Sequence, residues 1–116
     1  MRVIIAGSRG FTDYSLLCQK MDHFLSQTEG QITVVCGGAR GADSLGERYA
    51  QERGYEVAKY PAEWERYGKS AGYRRNAAMA ENADALVAFW DQKSPGTRHM
   101  INLAKEKGLK VRLVIY

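Results

Sequence analysis

Five short strand-like runs, each followed by a stretch with helical spacing or by the end of the chain, constrain this sequence more than any other feature. The runs are Val3 to Ala6, Ile32 to Cys36, Tyr55 to Lys59, Ala85 to Phe89 and Val111 to Ile115. Most are continuously apolar rather than alternating, the pattern of parallel strands covered on both faces. A helix with the apolar face Tyr14, Leu17, Met21, Phe24 and Leu25 is expected after an N-cap at Thr12 or Asp13. A second is expected from Ala42 to Arg53, with Ser44 and Glu47 spaced as a capping box. A third runs from near Tyr73 to about Asn82, and a fourth follows Ser94-Pro95 through about Lys107. Gly30, Gly54 and Gly108 punctuate the ends. With right-handed crossovers, this alternation predicts one doubly wound α/β domain over residues 1–116. Its sheet has five strands, mainly parallel, in the order 3-2-1-4-5, with helices on both faces. Residues 60–72 read as one long irregular loop, and a loop of that length carrying Trp64 and Tyr67 is functional or packed.

Composition narrows the class. A chain of 116 residues, 45% hydrophobic and 26% charged, supports one core of ordinary size. No apolar run is long enough for a membrane span, and the first strand begins at Arg2, so a cytoplasmic protein without a membrane partner is expected. Cys18 and Cys36 have neither disulfide-framework nor metal-ligand spacing, and His23 and His99 stand alone, so no metal is expected. The net charge of +4 raises the possibility of nucleic acid, although there is no basic tail or lysine run.

In an open parallel sheet, ligands bind beyond the carboxyl ends of the strands. After the first strand come Gly7, Ser8 and Arg9; after the second, Gly37, Gly38, Arg40, Gly41 and Asp43. After the third come Trp64, Lys69, Arg74, Arg75 and Asn76; after the fourth, Trp90, Asp91, Lys93, Ser94, Gly96, Thr97 and Arg98. Glycines, arginines and helix N-termini on one edge are the groups that hold phosphate. Each has a plainer reading: the glycines serve turns, Ser94 caps a helix with Pro95 in its first turn, and Asp43 caps another. Arg74 and Arg75 at a helix start oppose its dipole, which favours a bound anion. Neither glycine loop is a Walker A or a G-x-G-x-x-G dinucleotide motif, so P-loop hydrolysis and hydride transfer are not expected. Phe11, Trp64, Tyr67 and Trp90 are candidates to stack on a base, or to close the rim of the core. Cys36 and His99 are a candidate nucleophile and base, with no third residue to orient them.

The segments GSRGFTDY, GGARGAD, YPAEW, GKSAGYRRNAAMAENADALVAFWD and SPGTRHMI, in that order, resemble the YspA-type, cpYpsA-related branch of the SLOG superfamily. The resemblance spans nearly the whole chain. It implies a Rossmann-like fold and a pocket for a nucleotide or ADP-ribose-like ligand, with more distant kinship to Lonely Guy phosphoribohydrolases and DprA proteins. Against the Lonely Guy enzymes, Arg75 falls on their catalytic arginine and Gly96-Thr97 match the G-T of P-G-G-x-G-T-x-x-E, whose catalytic glutamate falls on Met100. Methionine neither relays a proton nor stabilises an oxocarbenium ion. The resemblance therefore implies capture of a nucleotide-derived small molecule by a sensor or sequestering protein, without turnover and with no cofactor required. The alternatives are an N-glycosidase using Arg75 with Asp43 or Asp91, and, ranked below it, single-stranded nucleic-acid binding. Homo-oligomerisation through apolar helix faces is permitted.

Overall fold

The computed structural model describes every residue from Met1 to Tyr116. Its elements are β1 (Arg2–Gly7), α1 (Tyr14–Leu25), β2 (Thr33–Cys36), α2 (Ala42–Arg53) and β3 (Glu56–Lys59). They continue with α3 (Trp64–Tyr67), a 3-10 turn (Gly68–Ser70), α4 (Ala71–Glu81), β4 (Ala85–Trp90), α5 (Pro95–Glu106) and β5 (Lys110–Ile115). The sheet order is β3-β2-β1-β4-β5, as expected, and every pairing is parallel.

Alternate residues of β1 feed two cores. Val3 and Ile5 join Val34, Val87 and Phe89 under α1 and α2, with Leu17, Met21 and Tyr49. Ile4 and Ala6 join Val35, Leu86 and Ala88 on the opposite face, with Met79, Met100 and Ile101. Burying each such aliphatic side chain stabilises the fold by about 1.5–3 kcal/mol before conformational entropy is counted. The central strands β1, β2 and β4 are therefore the most apolar, and the edge strands β3 and β5 keep polar residues in water.

Several local expectations hold, and others are corrected. Asp13 caps α1, its carboxylate accepting the Leu16 amide at 3.0 Å. Gly54 closes α2 with a left-handed backbone, φ 74°. The capping box at Ser44 and Glu47 does not form: α2 begins at Ala42, with its N-cap at Gly41, three residues before Ser44, and no side chain capping it. Residues 60–72 are not one irregular loop, because Trp64–Tyr67 and Gly68–Ser70 are short helical turns and α4 already starts at Ala71. A single turn is too short to display helical periodicity in sequence.

Candidate functional site

Beyond the carboxyl ends of the strands lies an open cavity of about 510 Å³. Its construction starts at the end of β1. A Cβ on Gly7 would come within 2.2 Å of the Phe89 carbonyl oxygen and 2.7 Å of the Ala42 side chain, so only glycine lets β1, β4 and α2 converge there. Gly41, at φ 75°, brings the start of α2 against the same turn, where a Cβ would meet the Ser8 oxygen at 2.4 Å. Gly41 thus seats α2 on the first loop and does not line the cavity, contrary to expectation.

Ser8 ties the loops after β1 and β4 together. Its amide donates to the Phe89 carbonyl at 3.0 Å, and its hydroxyl accepts from the Asp91 amide at 3.2 Å. Asp91 Oδ1 accepts the Lys93 and Ser94 amides at 2.9 and 2.8 Å, and Oδ2 accepts the Ser94 hydroxyl at 3.0 Å. The Ser94 amide first, then that of Lys93, pull the Asp91 carboxyl down to about 2. Asp91 is therefore engaged in shaping the approach to α5 and does not line the cavity. Ser94 sits at the N-cap position of α5, but its hydroxyl serves Asp91 and Ser8 rather than the helix. The amides of Arg9, Gly10, Gly96 and Thr97 make no hydrogen bond within the chain.

The opposite wall comes from α4. Arg75 donates from Nη1 to the Gly37 carbonyl at 2.7 Å and from Nε to Asn76 Oδ1 at 3.1 Å, which locks the glycine loop after β2 to α4. Asp43 lies beneath, only 6% exposed, accepting the Ala39 amide at 3.3 Å. Burial pushes the Asp43 carboxyl upward, opposed by Arg75, by the Ala39 and Gly37 amides and by Arg9. Asn76 Nδ2 reaches the Gly96 carbonyl at 3.2 Å and so joins α4 to α5. At the rim stand two exposed aromatics, Trp64 and Tyr73.

Among the expected residues, Gly7, Ser8, Arg9, Asp43, Trp64 and Lys69 line this cavity, as do Arg75, Asn76, Ser94, Gly96 and Thr97. Gly37, Gly38 and Arg40 line an adjoining recess of about 340 Å³ that shares Arg9, Ala39, Trp64 and Arg75 with it. Arg74 and Trp90 line neither. Arg74 turns to the Tyr67 ring, 4.3 Å from its centroid, and to the Ser70 hydroxyl. Trp90 donates to the Ser94 carbonyl at 3.1 Å and packs beneath Arg98. Phe11 is a core residue between Phe89 and Tyr116, and Tyr67 is taken up by Arg66 and Arg74, so neither joins the cavity. Cys36 is fully buried with its thiol pushed up to about 11, mainly by burial, which leaves no reactive thiolate at neutral pH. Met100 packs in the core beside Met79 and Ile101 rather than facing the cavity. Tyr73 and Gly72 are lining residues that sequence reading missed; the GYRRN string held both, and only the phase of α4 selects them.

Comparison with known proteins agrees with this architecture. Residues 1–67 match the family described as YspA, cpYpsA-related SLOG. The Gene 61 protein of Mycobacterium phage D29 is 37% identical over 116 residues, an alignment spanning 95% of this chain and 93% of that protein. A crystal structure from Methanocaldococcus jannaschii, described as a predicted subunit of tRNA methyltransferase, superposes with a TM-score of 0.50 at 13% identity. It covers 99% of this chain and 68% of that one, and the likeness is one of fold. On the family match and the near full-length relative, this chain belongs to the YspA, cpYpsA-related SLOG family.

Proposed function

We propose that the cavity captures a nucleotide-derived small molecule of the NAD or ADP-ribose kind and holds it intact, as a sensor or a sequestering protein. Family membership implies a nucleotide-related ligand in general. One observation carries the finer reading: unpaired cations and unpaired amides gather at a cavity and adjoining recess whose linings include a single carboxylate, the buried Asp43. Arg9, Arg40 and Lys69 belong to none of the three ion pairs in the molecule, Arg48–Glu52, Arg53–Asp22 and Lys59–Glu47. Cations left without partners beside free amides match phosphate oxygens. Trp64 and Tyr73 at the rim offer faces on which a base stacks. Asp43 has the position to balance Arg75 rather than to orient Arg40, since it shares the cavity wall with Arg75 and lies under its field.

The absence of turnover is supported by the fate of the carboxylates. Glycosidic cleavage needs a carboxylate free to act on the reacting atoms. Asp91 is engaged by its own turn, and the position of the hydrolases' glutamate is a core methionine. Asp43 alone keeps a hydrolytic reading open, through its burial beside Arg75.

A thermal-shift panel of mononucleotides, NAD and ADP-ribose, followed by chromatography of any ligand that binds, tests both halves. A ligand at a hundredfold excess over its dissociation constant stabilises by about 2.7 kcal/mol, an easily read shift. The expected result is a shift with a pyrophosphate-bearing ligand that is recovered unchanged. A melt that no phosphorylated ligand moves removes the nucleotide reading. Release of free base, lost in Arg75→Ala, replaces capture with hydrolysis.

A further inference from the structure

We infer that His99, which does not line the cavity, is a positioning residue for it: as a neutral acceptor it fixes the Asn76 amide, and through that amide the Arg75 guanidinium and the Gly96 carbonyl. Asn76 is 7% exposed and spans the junction of α4 and α5. Arg75 Nε can only donate, so the Asn76 atom it meets at 3.1 Å is the amide oxygen, which settles the orientation of that amide. The two Nδ2 protons then point to the Gly96 carbonyl and to His99 Nδ1, each at 3.2 Å. His99 Nδ1 must therefore present a lone pair, leaving its proton on Nε2.

Protonating Nδ1 would set two N–H donors against each other. The amide could relieve this only by flipping, which would turn its NH2 group toward Arg75 Nε and its oxygen toward the Gly96 carbonyl. One mismatch would become two, so the network excludes the imidazolium. The groups around the ring add little in its favour. The Tyr73 ring meets it edge-on from α4 at 4.6 Å, and Arg75, the residue before Asn76, holds the far side of the same amide. On α5, only Glu106 pulls toward the charged form, against a larger effect of burial that lowers the imidazole from its ordinary 6.5.

Acid thus disturbs two walls of the cavity together, the arginine of α4 and the first turn of α5. The effect on ligand rests on the nucleotide reading above; the proton arrangement does not. Because folded His99 favours the neutral form, the arrangement is intact at neutral pH and is lost as pH falls below 6.5 and through the lowered value.

The test has two arms. His23 is the other of the two histidines, so in a His23→Gln background nitrogen-15 spectra of the imidazole report on His99 alone. The Nε2–H tautomer at neutral pH is expected, and an Nδ1–H tautomer overturns the inference. In the second arm, calorimetry follows ADP-ribose binding between about pH 7.5 and about pH 5.5, where histidine titrates. ADP-ribose suits this range because its pyrophosphate keeps its charge, whereas a phosphate monoester titrates at about 6. Affinity is expected to fall about fivefold on acidification, as for the loss of one hydrogen bond. His99→Asn places an acceptor oxygen where Nδ1 was, and its profile should be flat; His99→Ala should bind weakly at both pH values. A flat wild-type profile overturns the inference. If ADP-ribose binds at neither pH, the nucleotide reading falls and the tautomer still decides the role of His99.

Discussion

Gly96 lines the cavity and Gly37 its adjoining recess, and a methyl group on each would do opposite things. At Gly37 the added Cβ would stand 2.2 Å from Arg75 Nη1 and 2.9 Å from Asp43 Oδ2, and at Gly96 it would meet nothing within 4 Å. Arg75 is the flexible partner, so Gly37→Ala should displace the guanidinium from the Gly37 carbonyl rather than prevent folding. A stability loss of about 1 kcal/mol is expected, with ligand affinity reduced about tenfold. Gly96→Ala should melt no lower than the parent, because alanine favours the first turn of α5 by up to about 0.5 kcal/mol. Paired thermal melts and ligand titrations check both. This contrast was not legible in the sequence, where Gly37 and Gly96 read alike as ligand-binding candidates. What separates them is a cross-chain approach of 38 residues, which no local pattern records. Arg74 and Arg75 illustrate the same limit: neighbours on a helix diverge by about 100°, and the packing of α4 on the sheet decides which one meets the cavity.

At the scale of elements, the connection from β4 to α5 is a structure built by one carboxylate. Asp91 gathers the Lys93 and Ser94 amides and the Ser94 hydroxyl while Gln92 takes a left-handed backbone, φ 64°. Its folded carboxyl lies at about 2, below the ordinary 3.8, so the contribution of Asp91 to stability is fully present above 3.8 and is lost as pH falls toward 2. Asp91→Ala should therefore melt lower than the parent at neutral pH, with the gap closing as pH approaches that range in a series of circular-dichroism melts. An unchanged gap across the series would show that the turn does not depend on the charge. Element order and identity were legible here because strand runs and glycine punctuation repeat with the period of a β-α unit. The short turns at Trp64–Tyr67 and Gly68–Ser70 were not, since they are set by how the chain crosses from β3 to α4 over the cavity.

For the molecule as a whole, the net charge of +4 is less informative than its distribution. Around α1, α2 and β3, three basic residues are neutralised in place: Arg53 by Asp22 at 2.9 Å, Lys59 by Glu47 at 3.0 Å and Arg48 by Glu52 at 3.4 Å. Arg9, Arg40 and Lys69 lie at the cavity and its adjoining recess, without such partners. A surface for single-stranded nucleic acid needs cations along a groove long enough to follow several phosphates, with affinity growing with strand length and falling steeply with salt. Under the capture proposed above, the cavity of about 510 Å³ and its recess of about 340 Å³ act as a confined cluster instead. Affinity measured by fluorescence anisotropy should therefore gain nothing as a single-stranded oligonucleotide is lengthened beyond the first few residues. ADP-ribose should compete with a labelled short oligonucleotide, and Arg9→Ala combined with Arg40→Ala should weaken both ligands together. If affinity instead rises more than about tenfold with length and its salt slope steepens in step, the cations form a track rather than a pocket, and the nucleic-acid reading takes the place of nucleotide capture.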